Sequence, residues 1–105
     1  MADFRYFTVN YRGNSYEFQF RYTYRPYGGW RAYIVNAPSY GCRSESLAAT
    51  HRLDGGHQYY VCWSEQIPTR TQLDAVVELW SKATVMYIVD GGPSLDKHVG
   101  KLLRA

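Results

Sequence analysis

Tyr59-Tyr60-Val61-Cys62-Trp63 is followed by Ser64-Glu65-Gln66-Ile67-Pro68 and then by an uninterrupted run from Thr69 to Asp90. The order reads as a strand, a short turn and the only long helix the chain can build. Whatever comes before must pair with that strand or lie under that helix. Counting from Leu73, Val76, Val77, Trp80, Thr84, Tyr87 and Ile88 follow at three, four, seven, eleven, fourteen and fifteen positions, which is one stripe of a 3.6-residue period. Thr69 supplies a side-chain oxygen for the free N–H groups of the first turn, and Gln72 is placed to complete a capping box. Pro68 limits extension backwards. Gly91-Gly92-Pro93 ends the helix, because glycine accepts positive φ and proline cannot continue the ladder. Leu79, Ala83 and Met86 form a flanking apolar strip that one sheet face would leave partly bare.

Outward from that run, the clearest strand is the stretch where Tyr16, Phe18, Phe20, Tyr22 and Tyr24 alternate with Glu17, Gln19, Arg21, Thr23 and Arg25. Strict alternation means one buried face and one wet face. Phe4 to Tyr11 reads as the strand before it, joined through a tight turn at Arg12-Gly13-Asn14-Ser15. Trp30 to Asn36 reads as the strand after it, beyond Pro26-Tyr27-Gly28-Gly29. Short connections make these three a meander. From Ala37 to His57 the pattern lapses; Ser46 to Thr50 suits a helical turn. A short strand around Thr50 to Leu53 can pair with Tyr59 to Trp63 across Asp54-Gly55-Gly56-His57. A loop of this length often carries function. Near the C-terminus, Leu95, Val99, Leu102 and Leu103 have helical spacing, with Lys97, Lys101 and Arg104 towards the end where the helix dipole favours cations. That segment is read either as a short helix docking on Leu79 and Met86 or as a tail that orders on a partner or a second copy. The expected fold is α+β: one domain of 105 residues with an antiparallel four- to five-stranded sheet, one long helix on one face, and a short C-terminal helix or tail.

Hydrophobic residues at 46% and charged residues at 20% are ordinary for a folded chain, but 17% aromatic with 11 Tyr is not. Tyrosine packs its ring and keeps its hydroxyl wet, which suits both strand filling and binding surfaces. No apolar run of membrane-spanning length or secretory leader pattern occurs, so a cytoplasmic protein with no membrane role is expected. Cys42 and Cys62 make no disulfide framework and are expected reduced. Residues 1–52 carry seven Arg against three carboxylates, net +4, whereas residues 53–105 are at −1. Every basic residue of the first half is Arg, the side chain suited to carboxylate and phosphate forks and to stacking on rings. Arg5, Arg21, Arg25, Arg31, Arg43 and Arg52 are the candidate binding residues. A face with Glu17, Gln19, Arg21, Thr23 and Arg25, and with Arg5 and Arg31 nearby, offers charge; it offers stacking for nucleic-acid bases only if Tyr33 or Tyr60 turns outward.

Catalytic chemistry finds little footing. His51, His57 and His98 lack metal-ligand spacing, and no second cysteine pair exists, so neither a metal nor a cofactor is expected. A Cys42 nucleophile with His51 or His57 as base and Asp54 as orienter can be drawn, but no nucleophile-turn signature supports it. Ser94-Leu95-Asp96-Lys97 matches a serine–lysine spacing by letters only. Gly91-Gly92-Pro93 follows a helix, where a phosphate loop would precede one.

Tyr22-Thr23-Tyr24-Arg25-Pro26-Tyr27-Gly28, Thr50-His51-Arg52-Leu53 and Tyr59-Tyr60-Val61-Cys62-Trp63, followed by a threonine-capped helix with Trp80, resemble small proteins carried by conjugative elements and prophages of gut Firmicutes. The resemblance spans roughly residues 4 to 92 and supplies no catalytic residue. It implies a non-enzymatic protein that binds a host or phage machine, anti-CRISPR inhibitors of Cas effectors being one such class. The alternative is a nucleic-acid-binding accessory protein using the arginine- and tyrosine-rich sheet face. A homodimer through Leu79, Met86 or the C-terminal segment is the remaining partner reading.

Overall fold

The computed structural model describes residues 3–63 and 66–104. Its sheet is antiparallel and five-stranded, in the order β1 (Asp3–Tyr11), β2 (Asn14–Arg25), β3 (Gly29–Asn36), β5 (Tyr59–Val61), β4 (Arg52–Asp54). β1 and β2 pair without a break from Asp3↔Tyr22 to Tyr11↔Asn14. Between them Arg12 and Gly13 have φ of 50° and 82°, the two positive values that a two-residue type I′ hairpin needs. β2 and β3 pair with one irregularity at Gln19/Phe20, and β3 meets β5 at Tyr33↔Tyr60. The meander and the hairpin of β4 with β5 are as the sequence pattern predicts.

The two short strands differ in their bounds from the expectation. The strand expected from Thr50 to Leu53 runs from Arg52 to Asp54, because Thr50 ends a short helix, α1 (Leu47–Thr50), capped by the Ser46 hydroxyl. The strand expected to reach Trp63 ends at Val61, although the Cys62 N–H still donates to the His51 carbonyl at 2.9 Å. The Ser64-Glu65 turn lies outside the described residues.

The long helix, α2 (Arg70–Asp90), has Thr69 as its N-cap; Thr69 Oγ1 accepts from the Gln72 N–H at 3.1 Å. The Gln72 side chain meets the Thr69 hydroxyl at 3.2 Å, where a full capping box would take it to the Thr69 backbone N–H. Gly91 ends the helix with its N–H on the Tyr87 carbonyl. The predicted stripe is buried: Leu73, Val76, Val77, Trp80, Thr84 and Tyr87 face inward, joined by Ser81, Ala83 and Val85. Trp80 stands edge-on to Phe18 and to Phe20, with ring centroids 5.9 Å apart in each pair, a favoured aromatic geometry. Its indole N–H donates to the Thr50 carbonyl at 3.0 Å, so α1 is fastened to α2 through the core.

The C-terminal segment forms α3 (Asp96–Arg104), packed on α2. Leu95 is fully buried and its N–H donates to the Ala49 carbonyl; His98, also fully buried, places Nε2 2.7 Å from the Gly91 carbonyl. The strip expected to need a partner therefore has one in the same chain. Among the described residues no helix is long and apolar enough to cross a membrane.

Candidate functional site: the open face of the sheet

In a strand, alternate side chains take opposite faces, and the register carries each face across the sheet. Phe18, Phe20 and Tyr22 lie under α2, so Gln19, Arg21 and Thr23 point the other way. Arg21 is opposite Tyr33 and Thr23 is opposite Arg31; Tyr33 is opposite Tyr60, and Tyr60 opposite Leu53. On the other side of β2, Arg21 is opposite Phe4 and Gln19 is opposite Tyr6. The open face thus carries Phe4, Tyr6, Arg21, Arg31, Tyr33 and Tyr60 together, and both tyrosines on which the stacking argument depended turn outward.

The cations rest on the rings. The Arg31 guanidinium lies 3.8 Å from the Tyr60 centroid and 5.8 Å from that of Tyr33, while Arg21 lies 4.7 Å from Tyr33. Tyr33 and Tyr60 meet edge to face at 5.7 Å. Hydrogen bonds hold the arrangement: Arg31 Nη1 donates to the Tyr33 hydroxyl at 3.1 Å, and Arg21 Nη2 donates to Gln58 Oε1 at 3.3 Å. Each contact of this kind contributes about 0.5–1 kcal/mol at an exposed site. Their larger effect is to hold two long, half-buried side chains in one arrangement. Gly55 leaves room for the cluster, since a Cβ there would stand 2.7 Å from the Tyr33 ring.

The six candidate arginines divide. Arg21, Arg25 and Arg31 belong to the open face, with Arg25 at the exposed end of β2. Arg5, expected beside them, lies on the covered face: its register partner is Phe20 and its guanidinium sits 5.6 Å from the Tyr22 ring. The sequence could not decide this, because both sides of β1 carry aromatic residues. Arg43 is committed elsewhere. Its Nε and Nη2 donate to the Ile88 and Val89 carbonyls at 3.1 and 3.2 Å, capping α2 from 45 positions away. Arg52 donates to the Thr50 hydroxyl and the Glu45 carbonyl, and it lies between the rings of Tyr40 and Tyr59. Phe4, Tyr6 and Gln58 are face residues outside the sequence-derived set, and Tyr33 and Tyr60 enter it only conditionally; alternation in β1, β3 and β5 against the known face of β2 finds all but Gln58, which precedes β5.

The drawn catalytic arrangement is not assembled. Cys42 is exposed, Asp54 Oδ1 accepts from the Gly56 N–H, and His51 Nε2 meets Asp96 Oδ1 at 2.6 Å. A separate apolar cavity of about 230 Å³ is lined by His51, Cys62, Trp63, Leu79, Trp80 and Val99. Cys62 is a free, half-buried thiol, and among the described residues it has no hydrogen bond to an imidazole or carboxylate. Among the described residues no three His, Cys, Asp or Glu side chains converge as metal ligands. No family model, curated protein or solved structure matches this chain.

Proposed function

We propose that this chain is a small non-enzymatic binding protein of a phage or mobile element, which acts in the cytoplasm of its bacterial host by gripping a host or phage protein. An inhibitor of a Cas effector is its most concrete form. One observation carries the binding reading: half-buried Arg21 and Arg31 are laid on Tyr33 and Tyr60 on the face of the sheet that α2 leaves uncovered. Ordering a long side chain on binding costs free energy, and these two are ordered beforehand. Arginine and tyrosine are also the residue types that most often anchor protein interfaces. Arg21, Arg25 and Arg31 stand on the face against Glu17, which suits an acidic partner surface. The immune effector itself comes from the resemblance to proteins of mobile elements; the face supplies the chemistry of the grip.

The test is phage restriction in cells carrying an active CRISPR nuclease. Expression of the chain is expected to relieve restriction, and the Arg21→Glu/Arg31→Glu double variant, checked for an unchanged unfolding midpoint, is expected to restore it. Restriction that persists against every class of Cas effector tried would end the anti-CRISPR form. A double variant as active as the parent would remove the open face as the grip.

A second reading has its own support. Outward Tyr33 and Tyr60, with Phe4 44% and Tyr6 72% exposed beside them, place rings next to cations as proteins that hold single-stranded nucleic acid do. Against it, the ring faces of Tyr33 and Tyr60 are already attended by guanidinium groups. Mobility shifts with single- and double-stranded probes over a salt series separate the two. Micromolar binding that weakens steeply with salt, and is lost in the double variant, favours the nucleic-acid accessory.

A further inference from the structure

β1 is an edge strand, and its register fixes which of its backbone groups are unused. A two-residue hairpin closes on a hydrogen-bonded pair, here Tyr11↔Asn14. Alternation then makes Val9, Phe7, Arg5 and Asp3 the residues bonded to β2. The N–H and C=O groups of Phe4, Tyr6, Thr8 and Asn10 point away from the sheet, and no described residue meets them. All four side chains are exposed. Most of the usual protections of an edge are missing from this one: it is nine residues long, its outward residues are uncharged, it has no proline, and its pairing with β2 has no bulge; its charges, Asp3 and Arg5, lie at one end on the helix side.

We infer that this edge pairs with the same edge of a second copy, antiparallel, to give one sheet running through both molecules. The outward set is symmetric about Phe7. A two-fold centred there puts Tyr6 opposite Thr8 and Phe4 opposite Asn10 of the second copy, and every outward N–H and C=O finds a partner. Centring the two-fold on Tyr6 instead leaves Asn10 overhanging. The chosen register also sets the acidic start of each strand, Asp3, opposite Tyr11 and next to Arg12 of the other copy. Both are already paired within their own chain, Asp3 with Arg70 and Arg12 with Asp90, so neither end brings an uncompensated charge to the seam. Even-numbered residues meet even-numbered ones, so the two open faces join on one side and the two α2 helices share the other. This surface is separate from the arginine–tyrosine cluster, and also from the Leu79–Met86 strip on which the sequence placed a dimer.

The experiment is sedimentation equilibrium of the full chain from about 1 µM to about 1 mM, with amide hydrogen exchange read residue by residue. Expected are a dimer at the upper concentrations and protection of the amides of Phe4, Tyr6, Thr8 and Asn10 that appears with dimerisation. Thr8→Pro removes an outward N–H and leaves the bonds to β2 intact. It acts twice per dimer, so the dissociation constant is expected to rise by roughly a hundredfold or more. Thr8→Val keeps the N–H and should dimerise like the parent. A monomer throughout the range overturns the inference. So does a dimer that survives Thr8→Pro, and so does a dimer in which those four amides exchange freely. The exchange arm decides the matter even if Thr8→Pro fails to fold.

Discussion

The two faces of the sheet use the same residue types for opposite ends. Beneath α2, Tyr22 is buried and its hydroxyl donates to Asp74 Oδ1 at 2.7 Å, while Arg5 lies against its ring and within 3.6 Å of Asp3. There tyrosine and arginine close a seam between sheet and helix. On the open side, Tyr33 and Tyr60 are half-buried beds for Arg31 and Arg21, which no helix covers. Composition alone cannot separate these roles. Position relative to Phe18, Phe20 and Trp80 does, because the side of the sheet these rings occupy is the side that excludes water.

The comparison breaks most readily at the core. Phe20→Ala should cost about 3–5 kcal/mol, the usual range for emptying a buried aromatic site, whereas Tyr33→Ala should cost about 1 kcal/mol or less and reduce partner binding. Urea unfolding of the two variants checks this; equal losses would mean that the open face is part of the core. The committed arginines sharpen it next. Arg43→Ala strands the Ile88 and Val89 carbonyls at the end of α2 and should cost about 1–3 kcal/mol. Arg43→Lys should recover only part, since an ammonium cannot fork two carbonyls as a guanidinium does. Arg31→Ala, measured by the same urea unfolding, should cost about 1 kcal/mol, less than Arg43→Ala.

The smallest effect is alkaline. Burial pushes the Tyr40 phenol up to about 12, with Arg52 opposing; burial and then the bond to Asp74 push the Tyr22 phenol up as well. An unfolded tyrosine ionises near pH ~10. With folded values above unfolded ones, the stability these neutral phenols contribute is intact below about pH 10 and falls as pH rises, through about 12 for Tyr40. Among the described residues the Tyr40 hydroxyl has no hydrogen-bond partner, so Tyr40→Phe should leave the neutral-pH midpoint unchanged or raise it and make its decline between about pH 9 and about pH 11 shallower. Denaturant midpoints across that interval measure the difference.

Local pattern made much of this legible. Alternation in β2 named the buried row before any coordinate, and the Thr69 cap and Gly91 stop bounded α2 to within a residue of Arg70–Asp90. What the sequence hid was set by distance along the chain. The reach of Arg43 to the end of α2 spans 45 positions, and no local signal marks it. The face chosen by Arg5 follows from its register with Phe20, which a strand aromatic on both sides leaves open. Tyr33 and Tyr60 meet only because β5 inserts beside β3 rather than beside β4 alone.

β1 and α2 run alongside one another and are tied at both ends. Arg70 meets Asp3 at 2.7 Å, while Asp90 takes the Tyr11 hydroxyl, which lowers its carboxyl below the usual range, and pairs with Arg12 at 3.2 Å. Tyr11 and Asp90 are 79 positions apart, so on a ribosome the first hairpin emerges long before the helix that will shelter its apolar side. Closing so long a loop is slow compared with pairing neighbouring strands. Translation therefore delivers a half-built sheet with bare phenylalanines, and that apolar row stays uncovered until α2 has been made.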